Sequence, residues 1–285
     1  MRTEIAAGVF YEGGYEGGNI GYVSTALGGL LVDTPPLPHR TRDWQAQALE
    51  MQPQPLYGLV NTDCHLERML GNGVFSGLRT FGHESSAKPI SKYTPTVLEQ
   101  FAARFRDLPA GVAEEIAQAT LRLPEVSVQD RLVIHAPDRE VHIIHLEGHT
   151  PGSLGVYLPA ERVLFAGDTV THKEPPALAQ ASTLAWLDTI RYIEALEIDV
   201  IVPAAGEACG KEALVPLAAY IEEMWRLTAE LFEAGASRRE CVEKVELSEH
   251  YTIAKGQETR MKRRRRESIE RVYTEIRLAQ RRRRS

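Results

Sequence analysis

Between Thr62 and Arg68 the chain reads TDCHLER, and three side chains able to hold a metal or carry a proton, Asp63, His65 and Glu67, recur at every second position. Two further segments share this character: EGHTPGS at residues 147–153, centred on His149, and AGDT at residues 166–169, containing Asp168. Neutral imidazoles and carboxylates are the ordinary ligands of zinc, iron and manganese. The chemistry outlined is metal-assisted activation of water or of an electrophilic carbonyl. His65 taken alone would be an ordinary loop histidine. Its meaning comes from ligand types repeated at corresponding places.

Those places are the ends of apolar runs. LYGLV, VHIIHL and RVLF read as buried strands, and each stops just before one of the three segments. Gly148 and Gly152 flank His149, and Gly167 precedes Asp168, which allows tight turns and close backbone approach. GNIGYVSTALGGLLVDTP predicts two strands around a Gly28-Gly29 turn. TRDWQAQALEM predicts a helix capped by Thr41, TPTVLEQFAARF one capped by Thr94 with Pro95 in its first turn, and GVAEEIAQATLRL another. RLVIHA and LGVYL add strands, STLAWLDTIRYIEAL a helix and IDVIVP a last short strand. From Lys211 onward the pattern is helical, with a capping box at Ser237–Glu240. Strands, helices, strands again and a helical end predict a layered α/β architecture.

Composition narrows the class. The chain has 285 residues, 43% hydrophobic and 25% charged, enough for a sizeable core. No apolar run approaches the roughly 20 residues that span a bilayer, so no membrane partner is expected. The N-terminus lacks the features of a signal peptide. Cys64, Cys209 and Cys241 form no CxxC and no even-numbered framework, so a cytoplasmic location is expected. Residues 260–285 carry 12 Lys/Arg against 3 Asp/Glu. With the whole chain at -6, a tail at +9 leaves the remainder at -15. Ile269, Val272, Tyr273 and Ile276 form a helical stripe, which predicts one amphipathic helix over 260–285 packed on the body with its arginines in water. The arginine runs lack interleaved aromatic residues, which weighs against a nucleic-acid partner. A small-molecule substrate is expected, and a homodimer is compatible with the sequence.

The order and spacing of these pieces, from NIGYVSTALGGLLVDTP through GHTPGS and FAGDT to WLDTIRYIEALEIDVIVPAAG, resemble the metallo-β-lactamase superfamily, with the glyoxalase-II-like branch as the nearest match. The resemblance implies an αββα sandwich over residues 1–210, with C-terminal helices and a basic tail over 211–285. It also implies a metal site on one edge, between the two sheets. Members are mostly hydrolases of esters, thioesters, lactams, lactones or phosphodiesters, and some branches bind iron and oxidise their substrates.

Set against the family's usual T-H-x-H-x-D-H, this chain has Asp63 for the first histidine, Glu67 for the aspartate and Arg68 for the last histidine. The motifs containing His149 and Asp168 are intact, and Pro203-Ala204-Ala205-Gly206 puts Ala205 in place of a fourth-motif histidine. The resemblance therefore implies one divalent metal held by Asp63, His65, His149 and Asp168. Zinc is the expected ion, with iron and manganese as alternatives. At the second position Arg68 and Ala205 replace ligands, and the Arg68 guanidinium is expected to bridge Glu67 and Asp168. Asp168 would orient the water and serve as base, with Glu67 as the alternative base. His172 is a candidate for the substrate mouth. Cys64 should point away from the site, and His83, His142 and His145 are expected to be structural. The expected activity is hydrolysis of an ester, thioester or related bond at a modified, mononuclear site. An iron oxygenase is a minor version, and the alternative is a non-catalytic protein that binds a ligand or partner through the relic cleft.

Overall fold

The computed structural model describes residues 2–51 and 54–284; Met1, Gln52, Pro53 and Ser285, the last of these part of the expected tail helix, lie outside the described residues. Seven strands form one sheet in chain order: β1 (Arg2–Ala6), β2 (Val9–Tyr15), β3 (Gly18–Thr25), β4 (Gly28–Val32), β5 (Leu56–Val60), β6 (Arg79–His83) and β7 (Val126–Val128). The second sheet contains β8 (Arg131–His135), β9 (Glu140–His145), β10 (Leu154–Leu158), β11 (Val163–Gly167) and β12 (Val200–Pro203), in the spatial order β12-β11-β10-β9-β8. The helices are α1 (Pro38–Glu50), α2 (Leu66–Met69), α3 (Ala87–Ile90), α4 (Pro95–Ala102), α5 (Val112–Ala117), α6 (Thr183–Ala195), α7 (Leu214–Glu233), α8 (Arg238–Lys244) and α9 (Glu258–Arg284).

The period-two alternation of the strands creates the layers. On β4, Leu30 and Val32 face the space between the sheets, where they meet Val156, Leu158, Val163 and Phe165. Leu31, between them in sequence, points outward to Trp44 of α1. On β11, Val163 and Phe165 face inward, while Leu164 and Ala166 pack outward with Trp186 and Ile190 of α6 and Leu217 of α7. Because both faces of the central strands are covered, they read as continuous apolar runs. The result is an αββα sandwich with a helical C-terminal extension. Among the described residues no helix is long and apolar enough to cross a membrane.

Two local expectations are corrected. Thr41 lies inside α1, because Pro38 occupies the first turn and starts the helix earlier; the Thr41 hydroxyl donates to Pro35 O at 2.7 Å and Leu37 O at 3.0 Å. Thr94 does cap α4, accepting from Val97 N, and the Ser237–Glu240 capping box is present. The second correction concerns the tail arginines. Ile269 and Val272 are buried and Tyr273 and Ile276 pack against the same core, but several arginines are not left in water. Arg264 donates to Pro175 O at 2.7 Å, Arg271 to Ala181 O at 2.7 Å, and Arg265 to Val245 O. The segment from 174 to 183 is thereby tied to α9, as Leu178 N donating to Ser268 Oγ at 3.1 Å also shows.

Deleting residues 267–285 is expected to lower stability by several kcal/mol, since each well-buried aliphatic contributes about 1.5–3 kcal/mol. Deleting only 281–285 should leave the unfolding midpoint nearly unchanged. Chemical denaturation of both truncations checks this, and equal midpoints would rule it out.

Candidate metal centre

The C-terminal ends of β4, β5, β11 and β12 and the loop after β9 meet at one edge of the sandwich. Leu154 N donates to Thr62 O at 2.7 Å, and Asn19 Nδ2 to Pro203 O at 2.9 Å, joining the two sheets there. Asp33, just past β4, is buried with a φ of 59°, and accepts from Thr62 N at 2.7 Å and Thr62 Oγ1 at 2.6 Å. This holds the start of the TDCHLER turn. Gly167 has a φ of 52°, and a Cβ there would come within 2.6 Å of Thr62 Oγ1, so only glycine lets the Asp168 loop approach the Asp63 loop this closely.

Asp63, His65, His149 and Asp168 bring one candidate ligand atom each to within 4.8 Å of one another. Asp63 is buried and accepts from His65 N at 2.6 Å through Oδ1, while Oδ2 lies 2.7 Å from His65 Nδ1 and 3.7 Å from His149 Nε2. His149 Nδ1 donates to Ala177 O at 3.0 Å, which leaves Nε2 as the free ligand atom. The His149 ring stands edge-on to Trp186 with centroids 5.9 Å apart. Two imidazoles and two carboxylates fit zinc, iron or manganese by donor type. Ligand atoms about 2.0–2.2 Å from one ion cannot be more than about 4.4 Å apart, so small side-chain rotations suffice to close the set.

The electrostatics suit a cation. The Asp63 carboxylate raises His65 to about 9 against the opposing effect of burial. Burial alone would raise Asp63, but His65 and His149 outweigh it and hold this carboxyl well below the usual range. Burial lowers His149, with Asp168 and Asp63 offsetting only part of that. A proton therefore sits between Asp63 and His65 at neutral pH, where a metal must displace it. Apparent metal affinity should rise about tenfold per pH unit from 7 towards 9 and level off above it. In metal-free protein the sign is opposite. A raised imidazole contributes stability that is complete below its ordinary value near 6.5 and fades as pH rises through 9. Chelator-competition titrations across this range check the first statement, and a flat profile would remove it.

Arg68, 3% exposed, occupies the neighbouring position. Its Nε and Nη2 donate to Asp168 Oδ2 at 3.1 and 2.9 Å, Nη1 to Asn19 O at 3.3 Å, and Nη1 lies 3.9 Å from Asp33 Oδ2. Burial opposes the Arg68 charge, but Asp168 and Asp33 more than restore it. The guanidinium bridges Asp168 and Asp33, whereas Glu67 is engaged by Arg104. Glu67 still lines the cleft over the cluster, as does Ala205, which is exposed there. His172 lines an adjoining cavity of about 100 Å³ with His149 and Asp168.

The other singled-out residues lie elsewhere. Cys64 packs with Met69 and Ile90, and burial pushes its thiol up to about 12, unsuited to metal binding at neutral pH. His83 stacks on His145 with centroids 4.0 Å apart, and His142 sits between Arg131 and Glu140. Sequence reasoning missed Asp33, Ala177 and Trp186. Of these, only Asp33 carried a local signal, a carboxylate between a buried strand and a Thr-Pro-Pro turn.

The fold is that of one superfamily. The sequence model of the metallo-beta-lactamase superfamily matches residues 13–205, and the chain belongs to that superfamily. A linear primary-alkylsulfatase from Pseudomonas sp. (strain ATCC 19151) is 24% identical over 266 residues, covering 78% of this chain and 48% of the relative. The chain thus spans about half the length of that curated relative. Among solved structures, the stereoselective inverting sec-alkylsulfatase Pisa1 from Pseudomonas sp. aligns with a TM-score of 0.71 at 14% identity, over 96% of this chain and 50% of that one. A metallo-beta-lactamase family protein from Thermus thermophilus aligns with a TM-score of 0.67 at 16% identity, over 95% of this chain and 93% of that one. These structural likenesses concern the fold alone.

Proposed function

We propose that the chain is a hydrolase of ester, thioester or related bonds that uses one divalent metal, zinc first and iron or manganese as alternatives, held by Asp63, His65, His149 and Asp168. The observation that carries this reading is the convergence of four ligand-type side chains from three loops, beside a second position filled by the Arg68 guanidinium. A metal bound there supplies Lewis acidity towards the substrate's electrophilic centre and brings water nearer to ionisation.

The chain's own residues do the rest. Ala177 O fixes the His149 tautomer and ring plane. Both hydrogen bonds from Arg68 to Asp168 fall on Oδ2, so Oδ1 is the oxygen left to serve as ligand or as base towards water. Burial raises the Asp168 carboxyl, but Arg68 and His149 outweigh it and keep it ionised. Glu67, paired with Arg104 at the rim, is the secondary base. With Asp63 and Asp168 among the ligands, more of a dication's charge would be offset than by three imidazoles, so the site would supply weaker Lewis acidity and slower turnover than a three-histidine site. The alkylsulfatase relatives add sulfate esters to the bonds worth testing. The glyoxalase-II-like branch is carried by the thioester arm of the same test.

Metal analysis of the purified protein, before and after reconstitution with zinc, manganese or ferrous iron, tests this together with a panel of nitrophenyl esters, a thioester and a nitrophenyl sulfate. About one equivalent of metal with metal-dependent hydrolysis is expected. No metal after reconstitution would leave a non-catalytic binding protein, and two equivalents would contradict the role given to Arg68.

A further inference from the structure

The last helix brings a second kind of chemistry to the same opening. Arg260, Arg263 and Arg264 of α9 line the cleft of about 580 Å³ that also contains His65, His149 and Asp168. Their i, i+3, i+4 spacing puts three guanidinium groups on one helix face. Their neutralisation is incomplete. Arg260 and Arg264 share one carboxylate, with Glu174 Oε2 at 3.0 Å from Arg260 Nη2 and 3.6 Å from Arg264 Nη1. Arg263 faces Glu267 at 3.4 Å with 75% of its side chain exposed, a solvated pair of little strength.

Arg264 is the most confined of the three. Its side chain is 25% exposed, Nη1 donates to Pro175 O, and it also lines the smaller cavity that holds His149, Asp168 and Ala205. Burial and the like charge of Arg260 hold its guanidinium below the ordinary value. A desolvated cation beside a second cation is unfavourable by itself. A small oxyanion relieves it, because a guanidinium fork matches two oxygens and the resulting hydrogen bonds are charge-assisted. Arg260 and Arg264 also hold the 174–183 segment, through Glu174 and Pro175, but Arg263 pairs with Glu267 of its own helix, and Ser268 and Arg271 tie the segment down at Leu178 and Ala181 without lining the cleft.

We propose that Arg260, Arg263 and Arg264 form an oxyanion-binding wall of the metal cleft, and that the compound hydrolysed there carries a sulfate, phosphate or carboxylate group. The statement about the substrate rests on the hydrolase reading above; the anion site does not.

The test begins with the metal-free, full-length protein, so that no ion can serve as the anion's partner. Calorimetric titrations at constant ionic strength compare hexyl sulfate, hexanol and sodium sulfate on the wild type, Arg263→Gln and Arg264→Gln. Arg263 is exposed, so its variant keeps the fold, and circular dichroism verifies Arg264→Gln. Hexyl sulfate should bind at least about tenfold tighter than hexanol, the effect of one charge-assisted hydrogen bond, and this advantage should vanish in Arg264→Gln and shrink in Arg263→Gln. Sodium sulfate binding as tightly as hexyl sulfate assigns the wall to a free anion, while tighter hexyl sulfate assigns it to an anionic organic substrate. A second arm uses the metal-loaded protein with mono-4-nitrophenyl adipate and neutral 4-nitrophenyl hexanoate. The anionic-to-neutral ratio of kcat/KM should fall about tenfold or more in Arg264→Gln. Anion preference without hydrolysis keeps the wall and ends the hydrolase reading. Hydrolysis without charge preference, or anion binding unchanged in both variants, overturns the wall.

Discussion

Replacing His149 with alanine should abolish stable metal binding while the sandwich remains folded. Removing a mere hydrogen-bond partner of a metal ligand weakens affinity up to about a hundredfold, and removing the ligand itself should exceed that. The side chain lies in a loop beyond β9, and its packing partners are the edge of Trp186 and the His65 ring, at centroid distances of 5.9 and 5.1 Å. The loss to the fold is then that of a loop side chain, about 1–2 kcal/mol. Metal content after dialysis, read beside far-ultraviolet circular dichroism, separates the two effects. A variant that keeps its metal would show that the ligand set is misassigned, and one that unfolds would show that the His149 side chain belongs to the core of the sandwich.

Arg68→Ala should be the most destabilising single change at the site. It would leave Asp33 and Asp168 facing each other's field without the guanidinium between them. Breaking a buried pair from one side costs about 3–5 kcal/mol, because the remaining charge is stranded. The pH dependence has a definite sign. Burial already raises the Asp33 carboxyl to about 7 with Arg68 lowering it, so without the guanidinium it rises further and the folded variant binds protons more readily than the unfolded chain. Metal-free Arg68→Ala should therefore regain stability as pH falls and lose it as pH rises. Urea melts of metal-free protein at several pH values decide this, and a variant as stable as the wild type at pH 7 would mean that the pair contributes nothing. The companion double variant Arg68→His with Ala205→His restores two imidazoles beside Asp168. Its metal content should rise towards two equivalents, and an unchanged content would show that position 205 does not reach the second site.

What could be read from the sequence follows the range of the forces involved. Strand alternation is local, so the inward Leu30 and Val32 and the outward Leu31 were legible as apolar runs. The proposed metal ligands were legible because each sits at the end of such a run, at a place that lines up with a family motif even where, as at Asp63, the residue type differs. The partners of these ligands were not. Ala177 holds His149 through a backbone carbonyl, which any residue type provides. Glu67 was expected to share Arg68 with Asp168, yet Arg104, 37 positions away, engages it. Thr41 looked like a helix cap because its residue type suits one, but Pro38 sets the helix start. The tail arginines looked like a solvated run, since a one-dimensional charge pattern does not show that Arg264 turns into a cleft built by residues before 206.

The contact from Arg68 to Asp168 closes a loop of 100 residues, and that from Asn19 to Pro203 one of 184. Contacts of such separation carry a loop-closure cost that must be met before they reward it, which slows folding. Asp63 and His65 come from the first half of the chain and His149 and Asp168 from the second, so neither half alone presents the full set of ligands. An ion held by all four residues would act as a clasp fastened only once both halves have docked. It would grip the native state more fully than a transition state in which the halves are still apart. Its effect then falls on the unfolding rate and leaves the folding rate nearly untouched. The protein's lifetime, more than its speed of assembly, would follow the supply of metal around it.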